Sequence, residues 1–207
     1  MVKKLWFAVV FLIGASAAWS EEFADVIQQL ERVKTNQVDY LIALEDGKER
    51  SMLCGYCHGK DGNSVKPEIP NLASQNPEYL LKQFELFAKG ERKNYVMERL
   101  SQSISTQEKI DMALYFSSQN VVQKTDVEPS EQGKKVYNTI CTTCHGPNGL
   151  GNKELPRLAG QNLKFLKNTL MGFKEGKSTR ANSPMVGIMK GIKKSDIDHL
   201  ARYITTM

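Results

Sequence analysis

Strand-like alternation is absent from this sequence, and long apolar runs are scarce. No segment alternates apolar and polar residues with the period of two of a half-buried strand, so a sheet protein is excluded and an all-helical fold is expected. After residue 20, no apolar run approaches the roughly 20 residues that a membrane-spanning helix needs. We therefore expect the rest of the chain to be soluble and built from helices.

Cysteine and histidine are also few, since the 207 residues contain four cysteines and three histidines. Every cysteine falls in one of two Cys-x-x-Cys-His motifs, CGYCH at residues 54–58 and CTTCH at residues 141–145. No thiol is left outside these motifs. The chemistry of the chain is therefore expected to centre on them.

A Cys-x-x-Cys pair can belong to a zinc site, a redox dithiol or a covalent haem attachment site. Two such pairs in a zinc site are usually about 15 to 20 residues apart, whereas these are 87 apart. A thioredoxin-like dithiol would lie at the end of a strand, which a helical pattern does not supply. Structural disulfides stay open for an exported chain, but they give no reason for a histidine after each second cysteine.

Covalent attachment of haem c does need a histidine at that place, because an iron ligand follows the two thioether cysteines directly. We therefore predict two covalently attached haems c. The expected attachment residues are Cys54, Cys57, Cys141 and Cys144. The expected iron ligands within the motifs are His58 and His145.

The two motifs belong to a duplicated segment. Their cysteines are 87 residues apart and the later stretches PNLASQN (70–76) and PRLAGQN (156–162) are 86 apart, so one single-residue gap aligns the copies. In each copy we predict a helix leading into the cysteines, a second helix after the repeated asparagine and a closing helix. In the first copy, Asn76 is read as an N-cap before Pro77 and marks the start of the second helix. A capping box at 105–108 marks the start of the closing helix.

A sixth iron ligand has to come from outside the motifs. The third histidine, His199, aligns with Asp111 on the closing helix and is expected to face water, so bis-histidine ligation at both haems is excluded. Methionine sulfur is the usual alternative, and it raises the reduction potential. Met97 and Met185 are the predicted ligands, because each lies seven residues before an isoleucine that precedes the closing helix. Met189 is the alternative in the second copy.

The N-terminus has the layout of a secretory signal peptide. Two lysines precede an apolar stretch at residues 5–13 and the small residues ASA, with cleavage expected after Ala17 or Ser20. An uncleaved membrane anchor is the alternative. Export would place the mature chain in an oxidising compartment, the periplasm. Apolar residues then recur at helical spacing over residues 23–44, which predicts an additional amphipathic helix.

These residues resemble the cytochrome c4 family of diheme cytochromes, in which two class I cytochrome c domains follow one another. The resemblance rests on both CxxCHG motifs, the PxLA(S/G)QN stretches and the methionines before the closing helices. It implies that the carbonyls of Pro70 and Pro156 accept hydrogen bonds from the iron-ligating histidines. The chain is divided accordingly into a signal peptide (1–20), a helical extension (21–46), a first cytochrome c domain or first copy (47–125), a linker (126–130) and a second copy (131–207).

Iron held by histidine and methionine has no open position for a substrate, so we expect an electron carrier rather than an enzyme. The expected donors are a dehydrogenase or a cytochrome complex, the expected acceptors are an oxidase or a reductase, and no nucleic acid partner is expected. The alternative is a cytochrome subunit of a larger oxidoreductase, held by the helical extension or peripherally associated with a membrane. A diheme peroxidase is disfavoured by the matched methionines.

Charge is unevenly distributed along the chain. Residues 21–47 carry a formal charge of −5, and residues 135–207 carry +8. We expect the bases of the second copy to steer docking to an acidic partner, and simple solvated charge is the alternative. The residues expected in this role are Lys153, Arg157, Lys164, Lys167, Lys190, Lys193 and Lys194.

Overall fold

The computed structural model describes residues 13–124 and 126–207, with side chains from residue 21 onward. These residues form helices, turns and loops and hold no strand, which confirms the all-helical prediction. The first twelve residues of the predicted signal peptide lie outside the described residues. Within the described ranges, no helix is long and apolar enough to cross a membrane.

The helical extension consists of two helices rather than one. The helix α1 spans Ile13–Thr35 and α2 spans Gln37–Arg50. They are separated at Asn36, whose side-chain oxygen accepts hydrogen bonds from the backbone N–H groups of Val38 (3.0 Å) and Asp39 (3.4 Å). Asparagine in this role caps the first turn of the following helix. The chain divides into two compact units after Ile42, and α2 continues past the boundary predicted at residue 47.

The predicted helices of each copy are present, together with one short helix per copy that the sequence did not predict. The first copy contains α3 (Met52–His58), α4 (Pro77–Ala88), α5 (Tyr95–Ser103) and α6 (Thr106–Ser118). The second contains α7 (Glu131–Val136), a π-helix (Tyr137–Cys141), α8 (Thr142–His145), α9 (Leu163–Lys174), α10 (Met185–Lys190) and α11 (Asp196–Thr205). The unpredicted helices are α5 and α10.

In each copy, a glycine brings the helix that leads into the attachment motif into close contact with the closing helix. A β-carbon added to Gly133 on α7 would overlap the carbonyl oxygen of His199 on α11 and would lie 2.9 Å from Cβ of Tyr203. Gly47 on α2 approaches Asp111 and Tyr115 on α6 in the same way. These two crossings hold the helix that leads into each attachment motif against the closing helix of its copy.

The π-helix accommodates one additional residue that the second copy has ahead of its attachment motif. Cys54 lies seven positions after Gly47, whereas Cys141 lies eight positions after Gly133. A π-helix has a wider turn than an α-helix and takes up such an insertion without ending the helix. Its first residue, Tyr137, is fully buried and donates a hydrogen bond from its hydroxyl to the carbonyl of Gly146 (2.7 Å). Burial raises the pKa of Tyr137 to about 12, so its hydroxyl stays protonated.

Apolar side chains from the facing helices fill the interior of each copy. Met112 on α6 and Leu200 on α11, which align in the repeat, are both buried as predicted for an inward helix face. The capping box predicted for α6 is present, since the Ser105 hydroxyl accepts from the N–H of Glu108 while the Glu108 carboxylate accepts from the N–H of Ser105 (2.8 Å). The interior of the second copy includes Tyr137, Leu166, Leu170, Phe173, Met189, Ile192, Ile197 and Ile204.

Candidate functional site

A cavity of about 530 Å³ within the unit 43–207 is lined by residues of both copies. It brings together His58, Met97, His145 and Met185, the four iron ligands that the sequence predicts. Most of the remaining lining is apolar. The aromatic and leucine side chains along it are Leu72, Tyr79, Leu80, Phe84, Phe87, Leu158, Phe165, Leu166, Leu170 and Phe173.

The four predicted attachment cysteines stand in different surroundings. Cys57 lines the cavity, Cys54 and Cys141 are partly buried, and Cys144 is exposed. None of them forms a disulfide. Burial raises the pKa of Cys54, and burial followed by the charge of Cys144 raises that of Cys141 to about 11. Among the described residues, no group of three or more histidine, cysteine, aspartate or glutamate side chains is arranged to hold a metal ion.

Each motif histidine is oriented by a proline carbonyl, as the resemblance implied. The Nδ1 atom of His58 lies 2.9 Å from the carbonyl oxygen of Pro70, and Nδ1 of His145 lies 3.2 Å from that of Pro156. Because a carbonyl oxygen only accepts, Nδ1 carries the ring proton and Nε2 keeps the lone pair that a metal requires. Burial lowers the pKa of both histidines, and this favours the neutral, ligating form.

The two predicted methionine ligands lie in the first turn of the short helices α5 and α10. The N–H of Met97 donates to the side chain of Asn94 (3.0 Å), and that of Met185 donates to the hydroxyl of Ser183 (3.3 Å). Asn94 therefore starts α5 without the proline that precedes Met185. The alternative ligand Met189 is 1% exposed within the apolar core of the second copy and does not line the cavity. This placement favours Met185 over Met189, and iron ligation itself stays a prediction.

Three arginines beside the cavity retain buried N–H groups that have no protein partner. These groups are Nε of Arg92, Nε and Nη2 of Arg157, and Nε of Arg180. Burial lowers the pKa of Arg92 and Arg157 to about 10, so both guanidinium groups remain charged at neutral pH. A buried unpaired cation is costly unless an anion joins it. Haem carries two carboxylate side chains on an apolar ring, so the residues of this cavity fit a haem through their charge as well as through their apolar lining.

The burial of Arg157 corrects one sequence-based expectation. Arg157 is only 2% exposed, so it cannot steer docking from the surface. Two of the lysines expected in that role make ion pairs with the first copy instead: Lys153 lies 3.7 Å from Glu78, and Lys164 lies 3.9 Å from Glu68. A third, Lys167, pairs with Asp198 at 2.5 Å.

His199 lies outside the cavity, as predicted. Its ring is exposed, and Nδ1 lies 2.9 Å from the hydroxyl of Ser130. Ser130 also caps α7, because its hydroxyl accepts from the N–H of Gly133 (3.2 Å). His199 thus has a structural contact between the start of α7 and α11, and the expectation that it is a surface residue is confirmed.

The repeated Gln-Asn pair connects the two copies, a role that the sequence did not predict. Gln161 accepts from the N–H of Asn71 (2.7 Å) and donates to the carbonyl of the same residue (3.0 Å). Gln75 makes the corresponding bonds to Arg157, at 2.7 Å and 3.0 Å. The repetition of this segment was visible in the sequence, but its partner surface was not.

Asn76 and Asn162 extend these contacts. Asn76 donates to the carbonyl of Leu155 (2.9 Å), and Asn162 donates to that of Ile69 (2.7 Å). Asn76 is the N-cap residue of α4 with Pro77 at the first helical position, as predicted, but its side chain makes no capping bond to α4. Both asparagines hold the copies together instead.

Comparison with known proteins places the chain in a family. Residues 130–207 match the family model described as cytochrome c. Over 182 residues the chain is 35% identical to cytochrome c4 of Stutzerimonas stutzeri, covering 77% of this chain and 87% of the relative. The chain belongs to the cytochrome c4 family. The crystal structure of reduced recombinant cytochrome c4 from Pseudomonas stutzeri aligns with a TM-score of 0.71 at 34% identity, covering 79% of this chain and 97% of that one.

Membership of the cytochrome c4 family confirms an electron-transfer cytochrome with covalently bound haem c rather than an enzyme. The solved cytochrome c4 structure also confirms the predicted all-helical fold of two tandem class I cytochrome c domains. The chain is also similar to a more distant relative, the thiosulfate dehydrogenase electron acceptor of Stutzerimonas stutzeri (strain A1501), with 26% identity over 174 residues, covering 76% of this chain and 80% of that protein.

Proposed function

We propose that this cytochrome is a periplasmic carrier with two haems that passes single electrons between respiratory redox proteins. The observation that supports this proposal most directly is a cavity lined by two histidines and two methionines, with one histidine and one methionine from each copy. A haem c iron with two protein ligands supplies the gain and loss of one electron, with no open position for a substrate.

The residues around the cavity prepare the site for this task. The proline carbonyls fix the histidine rings, and the apolar lining excludes water from them. A methionine sulfur opposite each histidine would raise the reduction potential relative to a second histidine. The buried arginines would neutralise carboxylates in the same cavity.

Cell fractionation combined with a redox titration tests the carrier proposal. Osmotic shock is expected to release the haem-loaded chain, and the chain should take up two electron equivalents per polypeptide. Carbon monoxide should leave the visible spectrum of the reduced protein unchanged, because both axial positions are filled. Carbon monoxide binding by the unmodified protein would contradict the ligand set, and one electron equivalent would contradict the two-haem assignment.

The second candidate is a cytochrome subunit of a larger oxidoreductase. Two observations favour it: the similarity to a thiosulfate dehydrogenase electron acceptor, and three exposed apolar side chains on α2, Val38 (63%), Leu41 (55%) and Ile42 (54%). Such a face suits a protein partner or a membrane surface. Retention of the chain in the membrane fraction, or its purification with a dehydrogenase, would support this candidate over the free carrier.

Docking to an acidic partner is expected to depend on lysines near α10. Lys190 and Lys193 are exposed and have no acidic partner among the described residues. Replacing both with alanine should lower the bimolecular rate with ferrocyanide, a small anionic donor, severalfold at low salt. The rate of the unmodified protein should fall as salt is added.

A matched pair in the first copy serves as the control for this prediction. Lys60 and Lys66 are also exposed, and their replacement by alanine removes the same net charge. The control variant should retain most of the rate. Equal losses in both double variants would show that net charge alone, rather than the surface near α10, attracts the anion.

A further inference from the structure

Each motif histidine is hydrogen-bonded to a peptide group that the other copy also binds. The peptide group between Pro70 and Asn71 accepts from Nδ1 of His58 through its carbonyl (2.9 Å). The N–H of the same peptide group donates to the side-chain oxygen of Gln161 (2.7 Å). One planar group therefore links a histidine of the first copy to a glutamine of the second.

The second histidine has the same arrangement in the opposite direction. The carbonyl of Pro156 lies 3.2 Å from Nδ1 of His145, and the next N–H, that of Arg157, donates to the side-chain oxygen of Gln75 (2.7 Å). Both glutamines are 4% exposed, and Asn71 and Arg157 are 1% and 2% exposed. Water therefore does not compete for these bonds.

We propose that Gln161 is a positioning residue for His58 and that Gln75 is a positioning residue for His145, so that each copy adjusts the iron ligand of the other. Donation from a peptide N–H polarises the peptide and makes its carbonyl a stronger acceptor. A stronger acceptor at Nδ1 makes the imidazole a more basic ligand. A more basic ligand stabilises the oxidised iron, so each glutamine lowers the potential of the haem in the opposite copy.

The second bond of each glutamine fixes the geometry on which this effect depends. The side-chain nitrogen of Gln161 donates to the carbonyl of Asn71 (3.0 Å), and that of Gln75 donates to the carbonyl of Arg157 (3.0 Å). An amide held at both ends cannot rotate away from the peptide N–H. The peptide groups that orient the histidine rings are therefore held by contacts that exist only between the two copies.

Measured potentials of the two haems, assigned separately by NMR, test the proposal. In Gln161→Leu the reduction potential of the first-copy haem should rise by about 30 mV. This corresponds to a roughly threefold change in the redox equilibrium constant, at 59 mV per tenfold for one electron. In Gln75→Leu the second-copy haem should shift by a similar amount. Amide exchange of Asn71 should also quicken in Gln161→Leu, and that of Arg157 in Gln75→Leu. This amide readout does not depend on the iron.

The control variant is Asn76→Ala. Asn76 also donates across the copies, to the carbonyls of Leu150 (3.1 Å) and Leu155 (2.9 Å), but it makes no bond to the peptide group that His145 contacts. Asn76→Ala should change both potentials by only a small fraction of the shift seen in the glutamine variants. An equal shift in Asn76→Ala, a shift confined to the haem of the mutated copy, or no shift would overturn the proposal.

Glutamate variants keep the test decisive if a leucine variant fails to assemble. Gln161→Glu preserves the size of the side chain and strengthens the acceptor for the Asn71 N–H, while it gives up the bond that Gln161 donates to the Asn71 carbonyl. Because the bond to the N–H is the one that polarises the peptide, the first-copy potential should fall rather than rise. A rise, or a change in the second copy alone, would contradict the proposal. The inference rests on the proposed histidine ligation. If that ligation were wrong, His58→Ala would leave the haem spectrum intact. If only the role of the glutamines were wrong, His58→Ala would still change the spectrum, but the glutamine variants would not shift the potential of the haem in the opposite copy.

Discussion

Replacing Met185 by alanine is expected to convert one of the two haems into a form that binds carbon monoxide when reduced. Met185 lines the cavity with His145, and among the described methionines only Met97 shares this placement. Alanine has no atom that can replace the sulfur, so the axial position opens and the potential of that haem should fall. Met97→Ala should produce the same half-amplitude change in the other haem. Visible spectra with and without carbon monoxide measure both.

Two other methionines provide matched controls. Met189 is buried in the apolar core of the second copy, and Met171 packs against that core without lining the cavity. Leucine is close to methionine in volume, so Met189→Leu and Met171→Leu should cost less than about 1.5 kcal/mol of stability. Neither should bind carbon monoxide. If Met189→Leu opened an iron and Met185→Ala did not, the ligand of the second haem would be Met189.

Alanine at Gly133 is expected to cause a large loss of stability. The new methyl group would overlap a backbone carbonyl of α11, so the two helices would have to separate. Overpacking of this kind typically costs 1–3 kcal/mol, and a clash with backbone belongs at the top of that range, about 3 kcal/mol. Gly47→Ala should destabilise the first copy similarly. Urea unfolding of the haem-loaded protein, followed by far-UV circular dichroism, measures the change.

Gly187 supplies the control for the helix crossings. It lies within α10, is exposed, and has no atom within 4 Å of the position that a β-carbon would take. Gly187→Ala should therefore increase stability by about 0.5–1 kcal/mol, because glycine is a poor helix former. Equal destabilisation at Gly133 and Gly187 would mean that the crossing does not depend on the absence of a side chain.

Features whose signals are local could be predicted from the sequence. The attachment motifs, the start of α4 at Pro77 and the capping box at Ser105 each depend on residues within a few positions of one another. The matched positions of Met97 and Met185 were visible because the chain repeats. The helices α5 and α10, with nine and six residues, are too short for an apolar period to identify them.

Contacts between the copies could not be predicted, because they join residues far apart in the chain. Gln161 lies 90 positions from Asn71, and Gln75 lies 82 positions from Arg157. Asn76 lies at the start of α4 as predicted, but neither its bond to the second copy nor the burial of Arg157 could be predicted, since a residue type does not show what faces it. The division of the extension at Asn36 was missed for a different reason: the apolar period continues across it, and the local cap interrupts the helix.

The exchange of bonds between Gln75 and Gln161 has the pattern of an isologous interface, in which residue i meets residue j and j meets i. Both halves of that interface lie on one polypeptide here. A half-length protein with a single PxLAxQN segment would carry both halves as well, and two such molecules could associate about a twofold axis. Tandem duplication would turn that concentration-dependent homodimer into a permanently joined pair. A second haem site would then be gained without any new contact having to evolve.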